Sequence, residues 1–133
     1  MSSYTLGFIK SSLVYFALAI ILGIHISVFP ASSNGIRFAH VHFNLLGWMC
    51  MMIYGVGYHI LPRFSGNPLY SEKMANIHLY LSNIGLVGMA LFYYLKVEAY
   101  SPLFQLLFVV SSILEGISIF LFVFNIFKSI KWK

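Results

Sequence analysis

The chain has 133 residues, which is enough for one domain. Of these residues 60% are hydrophobic and 8% are charged, whereas a soluble domain has about 25% charged residues. The polar side chains are too few to cover a surface exposed to water, so the composition predicts that lipid surrounds most of the chain. This excludes an ordinary soluble domain, and the net charge of +5 indicates a defined topology and lipid contact rather than nucleic-acid binding.

Four apolar stretches follow one another along the chain, and each approaches or exceeds the roughly 20 residues that a helix needs to cross a hydrocarbon core. They are predicted to be helices, because an open sheet would leave backbone groups unpaired in lipid. We therefore predict an all-α integral membrane four-helix bundle, a single transmembrane domain over residues 1–133. Its helices are predicted at about 11–29, 37–61, 74–95 and 102–127, with the first two ended by Pro30 and Pro62.

The positively charged residues are shared unequally between the two ends of the predicted bundle. One end has six of them and the other has two. Segments on the cytoplasmic side of a membrane protein contain an excess of lysine and arginine. The distribution therefore predicts a multi-pass protein of the inner (cytoplasmic) cell membrane, with both termini in the cytoplasm. The cytoplasmic set is Lys10, Arg63, Lys73, Lys128, Lys131 and Lys133, and the outer set is Arg37 and Lys96.

Glu115 lies near the middle of the fourth predicted helix. A carboxylate inside a membrane is costly, and such a residue usually marks a function or a buried polar partner. Two interpretations stay open. Glu115 is either part of a proton relay, or a protonated side chain that is hydrogen-bonded to Ser111, to Ser112 or to another helix.

Five histidines occur in this apolar chain, and their positions fall into two layers. His25, His40 and His42 are predicted near the outer end of the bundle, and His59 and His78 near the inner end. Neutral imidazole is the commonest metal ligand and suits iron, copper and zinc. A single histidine inside a membrane more often hydrogen-bonds to a neighbouring helix, but three in one layer favour a site that binds a metal or a cofactor.

His40 and His42 are two residues apart, which corresponds to about 200° around a helix. They are therefore predicted to point to nearly opposite faces, where they can serve two sites but not chelate one small ion together. Arg37, three residues before His40, suits the propionate groups of a haem, or else it is an interfacial side chain. Three glycines of the same helix permit the close approach of a flat macrocycle or of another helix. These are Gly47, Gly55 and Gly57.

The residues around the histidine pair resemble a known family. Residues 39–48, AHVHFNLLGW, resemble the His-x-His helix of haem–copper oxidase catalytic subunits, and most of all the C-type (cbb) oxidases and the nitric oxide reductases. The similarity continues through residues 54–63, YGVGYHILPR, and residues 77–85, IHLYLSNIG. It covers about residues 37 to 95, which include the second and third predicted helices.

In that family the first histidine of the motif is an axial ligand of a high-spin haem, and the second is a ligand of a low-spin haem. The resemblance implies that His40 faces a high-spin or open site and His42 a low-spin site. His25 is at the right depth to be the second ligand of the low-spin haem. The family's copper ion takes further histidines from separate helices, and this chain has no matching set. The resemblance therefore implies haem b, but not a complete oxygen reductase.

The main hypothesis is a b-type haem protein of the membrane. It either transfers electrons through a haem held by His42 and His25, or binds NO or O₂ at a haem held by His40. One alternative is a haem-free accessory or assembly subunit of a respiratory oxidase. Another is a metal or proton transporter that uses Glu115 and the inner histidines His59 and His78. The inner histidines, His59 and His78, are candidates for a second metal site that holds another haem, a copper ion or a zinc ion.

The expected partners follow from the size of the bundle. A single four-helix unit offers few walls for a haem, and self-association with closed symmetry would supply more. We predict a homo-oligomer, either a dimer or a trimer, in contact with membrane lipid. Respiratory-chain subunits or a quinol are further candidate partners, and nucleic acid is not expected.

Overall fold

The computed structural model describes residues 1–130, and over this part of the chain it has four helices and no strands. Each helix has 26 to 31 residues and is apolar enough to cross a membrane, which takes about 20 residues. The prediction of an all-α protein with four membrane-spanning helices is confirmed. The helices are α1 (Ser3–Val28), α2 (Asn34–Phe64), α3 (Glu72–Glu98) and α4 (Pro102–Ser129).

Helix α1 is longer than the sequence predicted. It begins at Ser3 and not near residue 11. The first turns stay helical because they bury Tyr4 and Phe8, which are 6% and 0% exposed, against the other helices. The helix ends two residues before Pro30, as predicted, since the residue that precedes a proline avoids the helical conformation.

The end of α2 corrects a second predicted boundary. Pro62 was predicted to end the helix, and this was wrong, because α2 continues to Phe64 with Pro62 inside it. A proline removes one backbone hydrogen bond of a helix. The last turn nevertheless closes, because the backbone N–H of Ser65 donates to the carbonyl of Leu61 at 3.1 Å.

The middle of α2 is a π-helix. The helix is α-helical over Asn34–His42, π-helical over Phe43–Cys50 and α-helical again over Met51–Phe64. Hydrogen bonds to the fifth residue widen each π turn, so the segment rotates the second half of α2 relative to the first. Such segments are rare and occur frequently at functional sites. This one begins directly after the two histidines of the His-x-His motif.

Glycines bring α2 close to its neighbours. A Cβ atom at Gly47 would lie only 2.6 Å from the Cβ of Tyr15 on α1. One at Gly55 would lie 3.1 Å from the Cβ of Phe8, also on α1. Gly57 likewise rests against an aromatic ring of α4. The three glycines therefore serve helix packing, which is one of the two uses predicted for them.

The start of α1 and the end of α4 lie at one end of the bundle, together with the loop between α2 and α3. We call this end the terminal end, and the opposite end, with the other two loops, the distal end. Helix α3 packs along α4, and α1 packs along α2. Of the predicted cytoplasmic cations, Lys131 and Lys133 lie outside the described residues. The other four, which are Lys10, Arg63, Lys73 and Lys128, lie in the terminal half.

Candidate functional site

His40 lies on the side of α2 that faces α1. Its Nδ1 is 2.8 Å from the carbonyl oxygen of Ala19. A carbonyl oxygen can only accept, so Nδ1 carries the proton and Nε2 of the neutral ring keeps its lone pair. The ring also rests on Gly23, where a Cβ atom would lie 2.9 Å from His40 Cε1. Helix α1 therefore holds the imidazole in the tautomer whose Nε2 has a lone pair.

An open groove of about 480 Å³ lies beside His40, between α1 and α2. One of its walls is aromatic, because Phe16 and Trp48 stack on each other with ring centroids 4.4 Å apart. Asn44 also lines the groove, and its amide donates to the backbone carbonyl of His40 at 3.0 Å. Apolar and aromatic walls with a few placed polar groups are typical of a cofactor or small-molecule site.

His42 lies on another side of α2, beside Phe38, which packs on α3 and α4. Its Nδ1 is 2.9 Å from the carbonyl oxygen of Phe38, one turn earlier. Its ring stacks on Phe38 with a centroid distance of 3.7 Å, and Phe38 in turn stacks on Tyr93 of α3 at 4.0 Å. The two imidazoles therefore point to different sides of α2, as their spacing predicts. In both residues Nδ1 is hydrogen-bonded to a backbone carbonyl oxygen, and Nε2 takes no part in that bond.

Arg37 and His25 lie at the distal end, but the structure does not gather them around one histidine. Arg37 is exposed, and its Nη2 donates to the carbonyl of Pro30 at 2.5 Å, which fastens the loop between α1 and α2. His25 packs against Phe29 with a ring distance of 5.0 Å. The ring of His42 also packs on a residue of its own helix, Phe38. The structure therefore does not pair His25 with His42.

The inner histidines are also separate. His59 lies at the surface, where the guanidinium of Arg63 contacts its ring. His78 is 0% exposed, and its Nδ1 is 3.0 Å from the hydroxyl oxygen of Tyr58. His78 Nε2 has no hydrogen-bond partner among residues 1–130. Within the same described range, no three His, Cys, Asp or Glu side chains come together in a way that could hold a metal ion.

Glu115 is 3% exposed, and its environment differs from the one predicted. The predicted hydrogen bonds to Ser111 or Ser112 are not found, because each hydroxyl donates to the backbone carbonyl four residues earlier at 2.8 Å. Glu115 Oε2 has no partner in the part of the chain that the structure describes. The carboxyl group lies against Gly85 of α3, where a Cβ atom would be 2.9 Å from Oε2.

Two residues of α1 that position His40 were not among the predicted site residues. Ala19 supplies the carbonyl oxygen, and Gly23 leaves room for the ring. Their spacing is a signal that could have found them, since two small residues four apart are typical of membrane helices that pack closely. The spacing does not show which polar group of α2 contacts these two residues, because that depends on how the helices pack.

Comparison with known proteins gives a partial relationship. Residues 34–97 match the family described as cytochrome c and quinol oxidase polypeptide I. A 49-residue stretch is 43% identical to cytochrome c oxidase subunit 1 of Rhodobacter capsulatus, covering 36% of this chain and 9% of that protein. A stretch of the same length is 39% identical to the Cbb3-type cytochrome c oxidase subunit CcoN1 of Stutzerimonas stutzeri, covering 36% of this chain and 10% of that one.

A longer alignment covers 98% of this chain and 25% of cytochrome c oxidase subunit 1 of Corynebacterium diphtheriae, with 26% identity. The chain thus spans from about a tenth to a quarter of the length of these relatives. No solved structure matches the chain significantly. The family match contains all of α2 and nearly all of α3, including His40 and His42, whereas His25 and Glu115 lie outside it. Over residues 34–97 the chain is therefore similar to subunit I of the haem–copper oxidases, and its four apolar helices are those of a multi-pass membrane protein.

Proposed function

We propose that the chain binds haem b within the membrane, with His40 and His42 as axial ligands on different sides of α2. One observation carries this proposal. In both residues Nδ1 is bonded to a backbone carbonyl, at 2.8 and 2.9 Å, and Nε2 keeps the lone pair. A metal-ligating histidine usually holds its other ring nitrogen in this way, because the bond fixes the tautomer and the ring orientation.

The groove beside His40 supports the proposal. Its volume of about 480 Å³ lies in the range of about 300–1,000 Å³ that is usual for ligand sites. Phe16 and Trp48, stacked on each other, offer one aromatic wall to a macrocycle, and the exposed Arg37 has guanidinium N–H groups left for a propionate. A bound haem would supply an iron that exchanges electrons or binds a diatomic gas, according to its axial ligands. The relatives named as cytochrome c oxidase subunits support the same cofactor.

His42 is the proposed ligand of a low-spin haem, which needs a second axial ligand. His25 is at a similar depth, but its ring packs on Phe29 of its own helix. We therefore place the second ligand on a neighbouring copy of the chain, in a dimer or a trimer. The proposal also places the terminal end in the cytoplasm, because more of the described cations lie in that half of the bundle.

The proposal is tested by a pyridine haemochrome assay on protein purified from haem-replete cells. Wild type is expected to contain haem b, and His40→Ala and His42→Ala are expected to lose part or all of it. His59→Ala is the matched control, because His59 is a surface histidine whose ring contacts Arg63. Unchanged haem content in both distal variants would contradict the proposal.

An optical spectrum separates electron transfer from gas binding. A five-coordinate haem on His40 is expected to change its spectrum when CO is added, and His40→Ala should remove that change. A low-spin spectrum that is indifferent to CO would leave only the electron-transfer role.

A haem-free accessory or assembly subunit is the second candidate function. The bond from His40 to Ala19 favours it, because the same bond fastens α2 to α1 without any ligand. In that case the purified protein should lack a Soret band, and His40→Ala should loosen the bundle. A Soret band that is lost in His40→Ala would exclude this candidate.

A further inference from the structure

A polar cavity of about 300 Å³, which we call the terminal cavity, lies at the terminal end of the bundle. It lies between the start of α1, the end of α2, the loop that follows α2 and the start of α3. The helices have 26 to 31 residues, and about 20 residues cross the hydrocarbon core, so these end turns lie at the level of the lipid headgroups. The polar lining includes Tyr4, Thr5, His59, Arg63 and Glu72.

Two opposite charges line the terminal cavity from different helices. Arg63 lies near the end of α2, and Glu72 is the first residue of α3. The guanidinium of Arg63 contacts the ring of His59 through Nη1 and, within residues 1–130, forms no ion pair with Glu72. Its Nε and Nη2 can therefore donate to another group. A cavity with a separate cation and carboxylate is complementary to a ligand that contains both an anion and a cation.

An apolar groove of about 390 Å³, which we call the Val56 groove, lies on the surface of α2. It starts within one turn of Arg63, at Ile60 and Leu61, and extends toward the middle of the membrane to Met52. Met52 and Val56 precede Arg63 by about three turns and two turns, so these three residues lie on one face of the helix. From Arg63 to Met52 the helix rises about 16 Å, which is about half the thickness of a hydrocarbon core. The Val56 groove therefore matches the depth of an acyl chain in one leaflet.

We propose that the terminal end binds a phospholipid with an ethanolamine headgroup, whose phosphate contacts Arg63 and whose ammonium contacts Glu72. One acyl chain of this lipid lies in the Val56 groove, and the headgroup lies in the terminal cavity. The inference does not depend on the proposed haem, because neither charged residue lines the groove beside His40.

The two charged contacts distinguish ethanolamine from other common headgroups. Guanidinium N–H groups bind a phosphate through paired hydrogen bonds. A carboxylate accepts hydrogen bonds from a primary ammonium, whereas a choline group has no N–H to donate. A glycerol headgroup has no cation, so its lipid brings only a negative charge, which the carboxylate of Glu72 repels. Of these three headgroups, only ethanolamine satisfies both Arg63 and Glu72.

Native mass spectrometry of the purified, delipidated full chain tests this selectivity. Phosphatidylethanolamine is expected to bind about tenfold more tightly than phosphatidylcholine or phosphatidylglycerol with the same acyl chains, because the ammonium forms a charge-assisted hydrogen bond. Equal affinities for the three lipids would overturn the proposal.

Water-soluble phosphoethanolamine separates a lipid from a free ligand with the same polar groups. It should bind at least about tenfold more weakly than phosphatidylethanolamine, since it has no acyl chain to bury in the Val56 groove. If the headgroup alone binds as tightly as the lipid, the assignment of a lipid to this site is wrong.

Glu72→Gln tests the contact to the ammonium. Glu72 is exposed at the start of a helix, so the variant should fold. Its affinity for phosphatidylethanolamine should fall about tenfold, which removes most of the preference over phosphatidylcholine. Glu98→Gln is the matched control, because Glu98 is the last residue of the same helix, at the distal end. A preference that survives in Glu72→Gln, or that is lost equally in the control, would refute the role of Glu72.

Arg63→Gln tests the contact to the phosphate. All three phospholipids contain a phosphate, so each should bind about tenfold more weakly to this variant. Lys73→Gln is the matched control, because Lys73 is an exposed cation of the same end that is not among the residues lining the terminal cavity. Equal losses in the two variants would mean that positive charge at this end attracts lipid without a specific site, and would contradict the proposal.

Discussion

The groove beside His40 and the seam between α3 and α4 both contain polar groups, but they are built differently. His40 is half-buried, one ring nitrogen is bonded to Ala19, and its groove opens to the outside of the bundle. An open groove of this kind can admit a large flat ligand. The seam is closed, because its polar side chains are buried between two helices in close contact. Its four residues, which are His78, Ser82, Ser118 and Glu115, are at most 3% exposed.

Gly85→Ala tests the closed seam and has the largest expected effect. A Cβ atom at Gly85 would lie 2.8 Å from Glu115 N and 3.0 Å from its Cα. These are backbone atoms, so α3 and α4 must move apart. We expect the free energy of unfolding, measured by denaturation in detergent micelles, to fall by about 3 kcal/mol.

The matched control is Gly116→Ala, because a Cβ atom there meets nothing within 4 Å. It should change the free energy of unfolding by less than about 1 kcal/mol. Equal losses in the two variants would show that the seam is not closely packed.

Asn125→Ala tests the terminal end of the same seam. The Asn125 amide accepts from the backbone N–H of Ser71 at 3.0 Å and donates to its carbonyl at 2.8 Å. Losing both bonds should lower the free energy of unfolding by about 2 kcal/mol, without a change in haem content. Asn76→Ala is the control, since Asn76 bonds only to a carbonyl of its own helix. A loss of haem in Asn125→Ala would mean that seam and groove are coupled.

Gly23→Ala tests the open groove. A Cβ atom at Gly23 would lie 2.9 Å from His40 Cε1, so the ring must turn and lose its bond to Ala19. We expect the affinity for haem, measured by titration of the haem-free protein, to fall about tenfold, which is about 1.4 kcal/mol. The free energy of unfolding should change less than in Gly85→Ala. An unchanged haem affinity would contradict the role given to His40.

Lys96→Met has the smallest expected effect, because Lys96 belongs to neither region. Its Nζ donates to Gln105 at 2.9 Å and lies 4.4 Å from the ring centroid of Phe108. Partly exposed contacts of this kind contribute about 1 kcal/mol or less. The haem content of Lys96→Met should equal that of wild type. Gln105→Ala removes the same bond and should behave in the same way. A loss of haem in either variant would mean that the haem site reaches the distal loop.

The predicted helices came close to the observed ones because a chain in lipid must satisfy its backbone within each segment. The errors lie where packing overrides local signals. Helix α1 starts at Ser3 because Tyr4 and Phe8 are buried there, and α2 passes through Pro62. The π-helix over Phe43–Cys50 has no visible signal in an apolar sequence.

The candidate site also has a part that the sequence predicted and a part that depends on packing. The spacing of His40 and His42 is enough to place them on different sides of a helix, since that depends only on helix geometry. The carbonyl that orients His40 belongs to Ala19 on another helix, so the free nitrogen could not be predicted. One of the two interpretations of Glu115 was a hydrogen bond to Ser111, to Ser112 or to another helix, but both serine hydroxyls donate to the backbone of their own helix.

By itself, the sequence determined that this protein is four membrane-spanning helices with a histidine pair on two sides of the second, because hydropathy and helical spacing are local properties. Only the tertiary structure decided which polar groups lie beside an open groove and which are buried between helices. The reason is that burial and hydrogen bonding between helices depend on which backbones approach closely. His40 was thereby left beside an open groove, and Glu115 was enclosed against Gly85 without a partner for Oε2 within the described residues.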